Sequence, residues 1–176
     1  AHAARIHELS GNPAAAKAIR DGLKPTTQEG EKFAATIADR RAVALAAPAA
    51  CPLYLGRVLK GVDARAPTPD WMKRRLERSG IRAISALVDV TNYVMLELGQ
   101  PLHAFDNTRL EGTVHARMAR PGETLLLLNE QTIAIDADIL MIADDVKPLA
   151  MAGIMGGEDS GITLETSELF LESAFF

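Results

Sequence analysis

The sequence contains one cysteine, Cys51, in 176 residues. A lone cysteine cannot form a disulfide within the chain, and it cannot supply the several thiolates of a structural zinc site. Disulfides persist in oxidising compartments and are rare in the cytosol. The cysteine content therefore favours a reducing, cytoplasmic location.

Long apolar runs are also missing from the sequence. The longest, from residue 42 to residue 55, is interrupted by Pro48 and Pro52 and is shorter than the roughly 18 residues that cross a bilayer. The apolar fraction of 48% and the charged fraction of 24% are ordinary for a globular protein. The length is sufficient for one domain with a core. We expect no contact with a membrane.

An excess of positive charge is the third feature that the sequence lacks. Its 19 Lys and Arg residues are outnumbered by 23 Asp and Glu, which gives a net charge of -4. Proteins that bind long stretches of phosphate backbone are usually basic, because Lys and Arg supply most of that affinity. Any contact with nucleic acid is therefore expected to be local, or to be supported by other parts of an assembly.

The first fifty residues differ from the rest of the chain. They are rich in alanine and polar residues, and helical stretches near residues 3–9 and 13–20 are separated by glycine and proline. The chain starts without Met and ends on the apolar, strand-like run 169–176, whereas natural termini tend to be polar. We expect a fragment with a weakly structured helical lead-in over residues 1–50 and a domain over 51–176.

Two helices are predicted in the first half of that domain, after a strand over residues 53–60 that Gly61 ends. The pair Thr68-Pro69 predicts a helix start, with the hydroxyl at the N-cap and the proline at the first helical position, and the helix runs over 70–79. A second helix is predicted over 86–98, between Ser85 as its cap and Gly99. Its β-branched residues favour a strand, but the two caps and the length decide for a helix.

After Pro101 the sequence turns to short apolar runs separated by turn residues. The predicted strands are residues 113–119, 124–128, 132–135, 139–143, 149–152 and 169–176. Two core helices followed by a block of short, mostly antiparallel strands indicate an α+β fold, a mixed α/β sandwich, rather than alternating βαβ units.

Thr91 and Asn92 are polar residues inside the second predicted helix. Such side chains compete for backbone hydrogen bonds and are usually kept out of helix interiors. Either Thr91 bonds to the preceding turn while Asn92 points at solvent, or the two residues serve a site. In the expected loop beyond this helix lies His103, which Asp106 could orient, although an isolated histidine is more often structural.

Four glycines fall within nine residues of the segment 151–161, among them Gly153 and Gly156. Glycines let a backbone approach another group closely, or they form tight turns between strands. The segment matches neither GxxxxGK[ST] nor GxGxxG before a helix, so it is not a nucleotide-binding loop. Glu172 interrupts the apolar run near the end of the chain, where a carboxylate needs a partner. A salt bridge to an arginine would explain it, and so would an apolar pocket that requires a polar acceptor.

Basic residues cluster on the first predicted helix and just beyond it. They are Lys73, Arg74, Arg75, Arg78 and Arg82. Such a run is usually a solvated face, but it is also where an RNA backbone could bind.

Residues 51–176 resemble the B3/B4 editing module of the β subunit of bacterial phenylalanyl-tRNA synthetases. Five stretches carry the resemblance in the same order, and they are residues 79–85, 88–95 (VDVTNYVM), 99–106 (GQPLHAFD), 152–157 (AGIMGG) and 171–176 (LESAFF). The family's pocket also takes a threonine and an alanine from a downstream segment, so the module is expected to continue beyond residue 176.

The resemblance implies an editing activity that hydrolyses the ester of Tyr-tRNA(Phe). It places His103, Thr91 and Asn92 around the terminal adenosine and the attacking water. It places Glu172, Gly156 and Gly153 around the substrate, with Glu172 as acceptor for the tyrosine hydroxyl. The basic residues Lys73, Arg74, Arg75 and Arg78 are the expected RNA contacts. The alternative is a structural or tRNA-docking module without chemistry.

The resemblance also implies partners and cofactors. The partners are the acceptor end of tRNA(Phe) and the synthetase α subunit, in an α2β2 assembly. ATP and Mg²⁺ belong to aminoacylation by the whole enzyme, and no cofactor is expected for this fragment. Metal ligands are not evident in the sequence, so we expect metal-free hydrolysis.

Overall fold

The structure is a computed structural model that describes residues 34–176. The elements below belong to the compact unit Asp39–Phe176. The helices predicted near residues 3–9 and 13–20 lie outside the described residues. Across residues 34–176, every helix is too short or too polar to span a bilayer.

Both predicted helices are confirmed. Helix α1 runs over Asp70–Arg78, and helix α2 runs over Ala86–Leu98 between Ser85 and Gly99. Gly99 has φ 71°, a left-handed conformation that ends the helix and that glycine adopts without a steric cost. The two helices pack against each other, and α2 also packs on strand β3 (Leu102–Asp106).

The predicted cap of α1 is wrong by one residue. Pro69 is the N-cap residue, and the Thr68 hydroxyl donates instead to Oδ2 of Asp89, at 2.5 Å. Asp89 lies on α2, is fully buried, and also accepts the backbone N–H of Ile84 at its other oxygen. A buried carboxylate needs such donors, so Thr68 serves the contact between the helices rather than the start of α1.

A three-stranded antiparallel sheet forms one layer of the domain. Its order is β2 (Leu53–Lys60), β10 (Glu168–Phe175) and β3, with β10 in the centre. Strand β2 has the predicted bounds, and Gly61 follows it at φ 69°. Strand β10 is displaced by one residue from the prediction.

A five-stranded sheet forms the second layer, in the order β1-β4-β7-β8-β9. Strand β1 pairs in parallel with β4, and the other pairs are antiparallel. The strands are β1 (Val43–Leu45), β4 (Val114–Met118), β7 (Leu140–Ala143), β8 (Pro148–Met151) and β9 (Met155–Gly156). A separate hairpin consists of β5 (Thr124–Leu126) and β6 (Thr132–Ala134). Strands β1, β3 and β9 were not predicted.

The two sheets face each other across a common hydrophobic core. Tyr54, Phe105 and Phe170 of the three-stranded sheet pack with buried residues of β4, β7 and β8, including Val114 and Ile142. Helix α2 packs against β3, and α1 packs against α2. The predicted α+β fold with a sandwich of strands is confirmed.

Candidate functional site

A cavity of about 220 Å³ opens between the two sheets. Strand β3 contributes His103 to its wall, and β10 contributes Glu172. Gly153 and Gly156 line it from the segment that joins β8 to β9 and from β9 itself. The rest of the lining is almost entirely apolar, and it includes Ile142, Ala150, Met151, Ile154, Met155 and Phe176. The cavity therefore combines an apolar wall with two ionisable side chains.

His103 lies in strand β3, not in the loop that the sequence predicted. It is the cross-strand partner of Glu172, so both side chains leave the same face of the sheet, with Cβ atoms typically about 4.5–5.5 Å apart. Its ring packs edge-to-face on Phe105, with the centroids 4.4 Å apart. Burial lowers the pKa of His103, so the imidazole is uncharged at neutral pH.

Asp106 does not orient His103 as the sequence suggested. Its Oδ1 accepts from the backbone and hydroxyl of Thr108, and its Oδ2 accepts from the hydroxyl of Thr166. Residues 103 and 106 are three apart on a strand, and odd spacing places their side chains on opposite faces of the sheet. Asp106 therefore stabilises the turn after β3.

Glu172 is buried, with 7% of its surface exposed. Its partner is the hydroxyl of Tyr54, which donates to Oε2 at 2.6 Å, and no basic side chain within residues 34–176 forms a salt bridge with it. Burial raises the pKa of Glu172 to about 7, and the Tyr54 hydrogen bond opposes that rise. The structure therefore contains a polar acceptor in an apolar pocket rather than an ion pair.

Gly156 leaves the space that the His103 ring occupies. A Cβ at this position would lie 2.8 Å from Cε1 of His103, a distance that real Cβ atoms essentially never show. It would also lie 3.1 Å from Nε2 of His103 and 3.2 Å from Leu128, which is tighter than most Cβ contacts. Gly153 has φ 68° and forms the turn before β9, where glycine is the residue that fits without strain. The two glycines therefore shape the cavity through the backbone.

Thr91 and Asn92 do not line this cavity. Both lie on α2, and the Thr91 hydroxyl donates to the carbonyl of Val88 at 2.7 Å, a bond to the preceding turn. The structure thus brings His103, Gly153, Gly156 and Glu172 together, and it places Thr91 and Asn92 elsewhere.

The basic residues of α1 are exposed. Arg75 donates to the hydroxyl of Tyr93 at 2.5 Å, and its guanidinium lies 5.4 Å from the ring centroid of Trp71. Within residues 34–176, Lys73, Arg74 and Arg78 form no salt bridge. At 100° per residue, Trp71, Arg74, Arg75 and Arg78 share one side of the helix, opposite buried Met72 and Leu76.

Tyr54 is the residue of this site that the sequence analysis missed. It is buried beside Glu172 and stacks on Phe170 with 6.5 Å between ring centroids. A tyrosine inside a predicted strand was the only available signal, and it is weak, since most such residues only pack. Across residues 34–176, no group of three or more His, Cys, Asp or Glu side chains is arranged to hold a metal ion.

Comparisons with known proteins agree with this architecture. The family model described as the B3/4 domain matches residues 50–176. The phenylalanine–tRNA ligase β subunit of Dechloromonas aromatica (strain RCB) is 87% identical over 142 residues, which are 81% of this chain and 18% of that protein. The β subunit of Aromatoleum aromaticum is 66% identical over 146 residues, which are 83% of this chain and 18% of that protein. The chain thus spans about a fifth of the length of these relatives.

A solved structure shows the same fold at low sequence identity. An N-terminal fragment of the phenylalanyl-tRNA synthetase β subunit from Pyrococcus horikoshii has a TM-score of 0.60 and 12% identity, over 82% of this chain and 45% of that one. The family model covers most of the chain, including every residue that lines the cavity. This chain belongs to the B3/4 domain family and is similar to the β subunits of phenylalanine–tRNA ligases.

Proposed function

We propose that this chain carries the editing site of a phenylalanine–tRNA ligase β subunit, which hydrolyses the ester of tyrosine wrongly attached to tRNA(Phe). The observation that supports it is Glu172, a carboxyl buried in an apolar cavity without a basic partner in the described residues. Such a group is costly unless it accepts hydrogen bonds. A tyrosine side chain combines an apolar ring with the hydroxyl that this acceptor needs.

Editing solves a problem that a single hydrophobic site cannot. A pocket shaped for phenylalanine rejects an analogue with one extra hydroxyl by only about 10². A second pocket that hydrogen-bonds the hydroxyl rejects the analogue lacking it by about 10⁴ or more, because the buried acceptor would be left unpaired. Glu172 provides this asymmetry, since phenylalanine would desolvate the carboxyl without bonding to it.

The reaction is addition of water to an ester. The water oxygen forms a bond to the carbonyl carbon, the bond from that carbon to the ribose oxygen breaks, and the ribose oxygen takes a proton. The products are tyrosine and uncharged tRNA. His103 is uncharged at neutral pH, and a neutral imidazole has one ring nitrogen that accepts a hydrogen bond from water. We assign to His103 the positioning of the attacking water.

The terminal adenosine requires space outside the cavity. Pockets for ligands of drug size usually have about 300–1,000 Å³, and the cavity has about 220 Å³, which suits an amino-acid side chain and water. Thr91 and Asn92 lie outside it, and we propose them as contacts of the nucleotide. We further propose that Lys73, Arg74, Arg75 and Arg78 contact the tRNA backbone, because Arg74, Arg75 and Arg78 share one side of α1 and Lys73 is exposed on the same helix of an otherwise acidic chain.

The relatives are named as β subunits of a tRNA ligase, and this supports a proposal about the assembly and its cofactors. We propose that the full β subunit binds a synthetase α subunit in an α2β2 enzyme of the cytoplasm. Activation of phenylalanine with ATP and Mg²⁺ belongs to that assembly and not to the residues around Glu172.

The test is Glu172→Ala in the full β subunit, assembled into the ligase. Losing a hydrogen bond to a charged acceptor costs about 1.5–3 kcal/mol, so Tyr-tRNA(Phe) hydrolysis should slow about ten- to more than a hundredfold. Hydrolysis of Phe-tRNA(Phe) should not slow, and charging with phenylalanine should continue. Glu168→Ala on the same strand is the matched control, because Glu168 pairs with Lys60 and does not line the cavity.

The outcomes separate the two candidate functions. Equal slowing of both esters in Glu172→Ala would show that Glu172 supports the fold or the chemistry and not discrimination. Unchanged hydrolysis of Tyr-tRNA(Phe) in both Glu172→Ala and His103→Ala would favour the alternative, a tRNA-docking module without chemistry.

A further inference from the structure

Tyr54 contacts Glu172 on the side of the carboxyl away from the lining of the cavity. Its hydroxyl donates to Oε2 of Glu172 at 2.6 Å, yet Tyr54 is not among the residues that line the cavity. In the register of the sheet, the residue of β2 directly opposite Glu172 is Gly56, and Tyr54 is opposite Ala174. Because Gly56 has no side chain, the diagonal neighbour Tyr54 reaches the carboxyl along the same face.

We propose that Tyr54 is a positioning residue for substrate discrimination, which binds Oε2 of Glu172 and leaves Oε1 to accept the hydroxyl of the substrate. This inference rests on the proposed editing function. It assigns to Tyr54 a role that acts only through Glu172.

The second carboxylate oxygen of Glu172, Oε1, has no side-chain or backbone donor in the described part of the chain, residues 34–176. In that part of the chain, the one fully enclosed side-chain nitrogen or oxygen without a partner is Nε of Arg117. Oε1 is therefore not fully enclosed by protein atoms. Glu172 lines the cavity, so a molecule in the cavity is the available donor to Oε1. An ionised carboxylate can accept at both oxygens, so the site is complete only when a donor arrives from the cavity.

The Tyr54 hydroxyl is a fixed donor. Burial and the neighbouring Glu172 carboxylate raise the pKa of Tyr54, so it remains protonated across the neutral range. Its hydrogen bond also stabilises the ionised form of Glu172 and so lowers the pKa of that carboxyl against the effect of burial. Removing the hydroxyl should therefore make Glu172 release its proton only at a higher pH.

The other groups around Glu172 do not compete for this role. His103 on β3 is uncharged at neutral pH. Cys51, before β2, is a buried thiol whose pKa is raised by burial and by Glu172. The strands of the facing sheet present only apolar residues to the cavity, and these include Ile142, Ala150 and Met151.

The test is Tyr54→Phe in the assembled ligase, which keeps the ring that stacks on Phe170 and removes only the hydroxyl. Hydrolysis of Tyr-tRNA(Phe) and Phe-tRNA(Phe) is measured from pH 6 to pH 8.5, with uncatalysed hydrolysis subtracted. The ratio of the two rates in the wild type should rise with a midpoint near pH 7. Loss of a hydrogen bond to a carboxylate moves a pKa by about one to two units, so the midpoint in Tyr54→Phe should rise by at least about one unit.

The controls separate this inference from the proposed function. In a Glu172→Gln background, Tyr54→Phe should cause no shift, since the titrating group is gone. A midpoint of the rate ratio that is unchanged in Tyr54→Phe would overturn the inference. So would pH profiles of Tyr-tRNA(Phe) and Phe-tRNA(Phe) hydrolysis that both shift by the same amount. If Glu172→Gln keeps the wild-type ratio at every pH, the proposed acceptor is wrong. If Glu172→Gln removes the preference for Tyr-tRNA(Phe) while Tyr54→Phe leaves the pH midpoint of the rate ratio unchanged, only the role of Tyr54 is wrong.

Discussion

The buried carboxyl of Glu172 should make the stability of the 176-residue chain depend on pH in a way that Glu172→Gln removes. Its pKa of about 7 in the folded chain exceeds the ordinary value of 4.5 for an unburied glutamate. The folded state therefore binds a proton that the unfolded chain has already released between these two pH values. The resulting stabilisation is complete below about pH 4.5 and is lost as pH rises through about 7.

The magnitude follows from the size of the shift. One pKa unit corresponds to about 1.4 kcal/mol, so a shift of roughly 2.5 units corresponds to about 3 kcal/mol. The free energy of unfolding of the wild type, minus that of Glu172→Gln, should fall by about this amount between pH 4 and pH 8. Burial lowers the pKa of His103, which favours folding as pH rises, but this effect is common to both proteins and cancels in the difference.

The assay is urea denaturation followed by circular dichroism at several pH values. Glu158→Gln is the control, because this carboxylate is exposed and loses little hydration on folding. The difference between this variant and the wild type measures the effect of replacing a surface carboxylate and is subtracted from that of Glu172→Gln. A difference for Glu172→Gln that does not change with pH would show that burial does not penalise the ionised form of Glu172.

Four further substitutions have specific expected results. Gly156→Ala should slow hydrolysis of Tyr-tRNA(Phe) in the assembled ligase by about a hundredfold, because the new Cβ would displace the His103 ring. A wild-type rate would show that the ring can move without loss of activity. Arg74→Ala and Arg78→Ala should each weaken tRNA binding and reduce the slope of log affinity against log salt by about one, and unchanged slopes would return α1 to an ordinary solvated face. Asp89→Ala should lower the free energy of unfolding by about 3 kcal/mol in urea denaturation, since two donors lose their acceptor, and a loss below about 1 kcal/mol would contradict this.

Local signals explain how much of the fold could be predicted. Helix α2 has its predicted bounds. Ser85 occupies the N-cap position, although its side chain makes no cap hydrogen bond, and Gly99 ends the helix in the left-handed conformation. Strand β1 was missed because it has only three residues, and its partner β4 begins about seventy residues later. Its existence depends on a pairing across the fold, which no local pattern records.

In the candidate site, too, some residues could be predicted from the sequence and others could not. Glu172 could be found because a carboxylate in an apolar strand violates the local pattern. Tyr54 could not, since its neighbours Leu53 and Leu55 are apolar and yet are 54% and 58% exposed. The residues of β2 on the face that carries Glu172 include Tyr54 and Gly56. Position 56 is a glycine because the ring of Phe170 occupies the space that a side chain there would need. Only the packed sheet shows which row faces the core.

The most direct test of the editing account is a crystal structure of the assembled ligase with a non-hydrolysable analogue of tyrosyl-adenosine. The tyrosine ring is expected to fill the cavity between the sheets, with its phenolic oxygen about 2.5–3.0 Å from Oε1 of Glu172. In the same structure, Tyr54 should still donate to Oε2. A tyrosine side chain bound outside the cavity, or one whose hydroxyl points away from Glu172, would contradict the account.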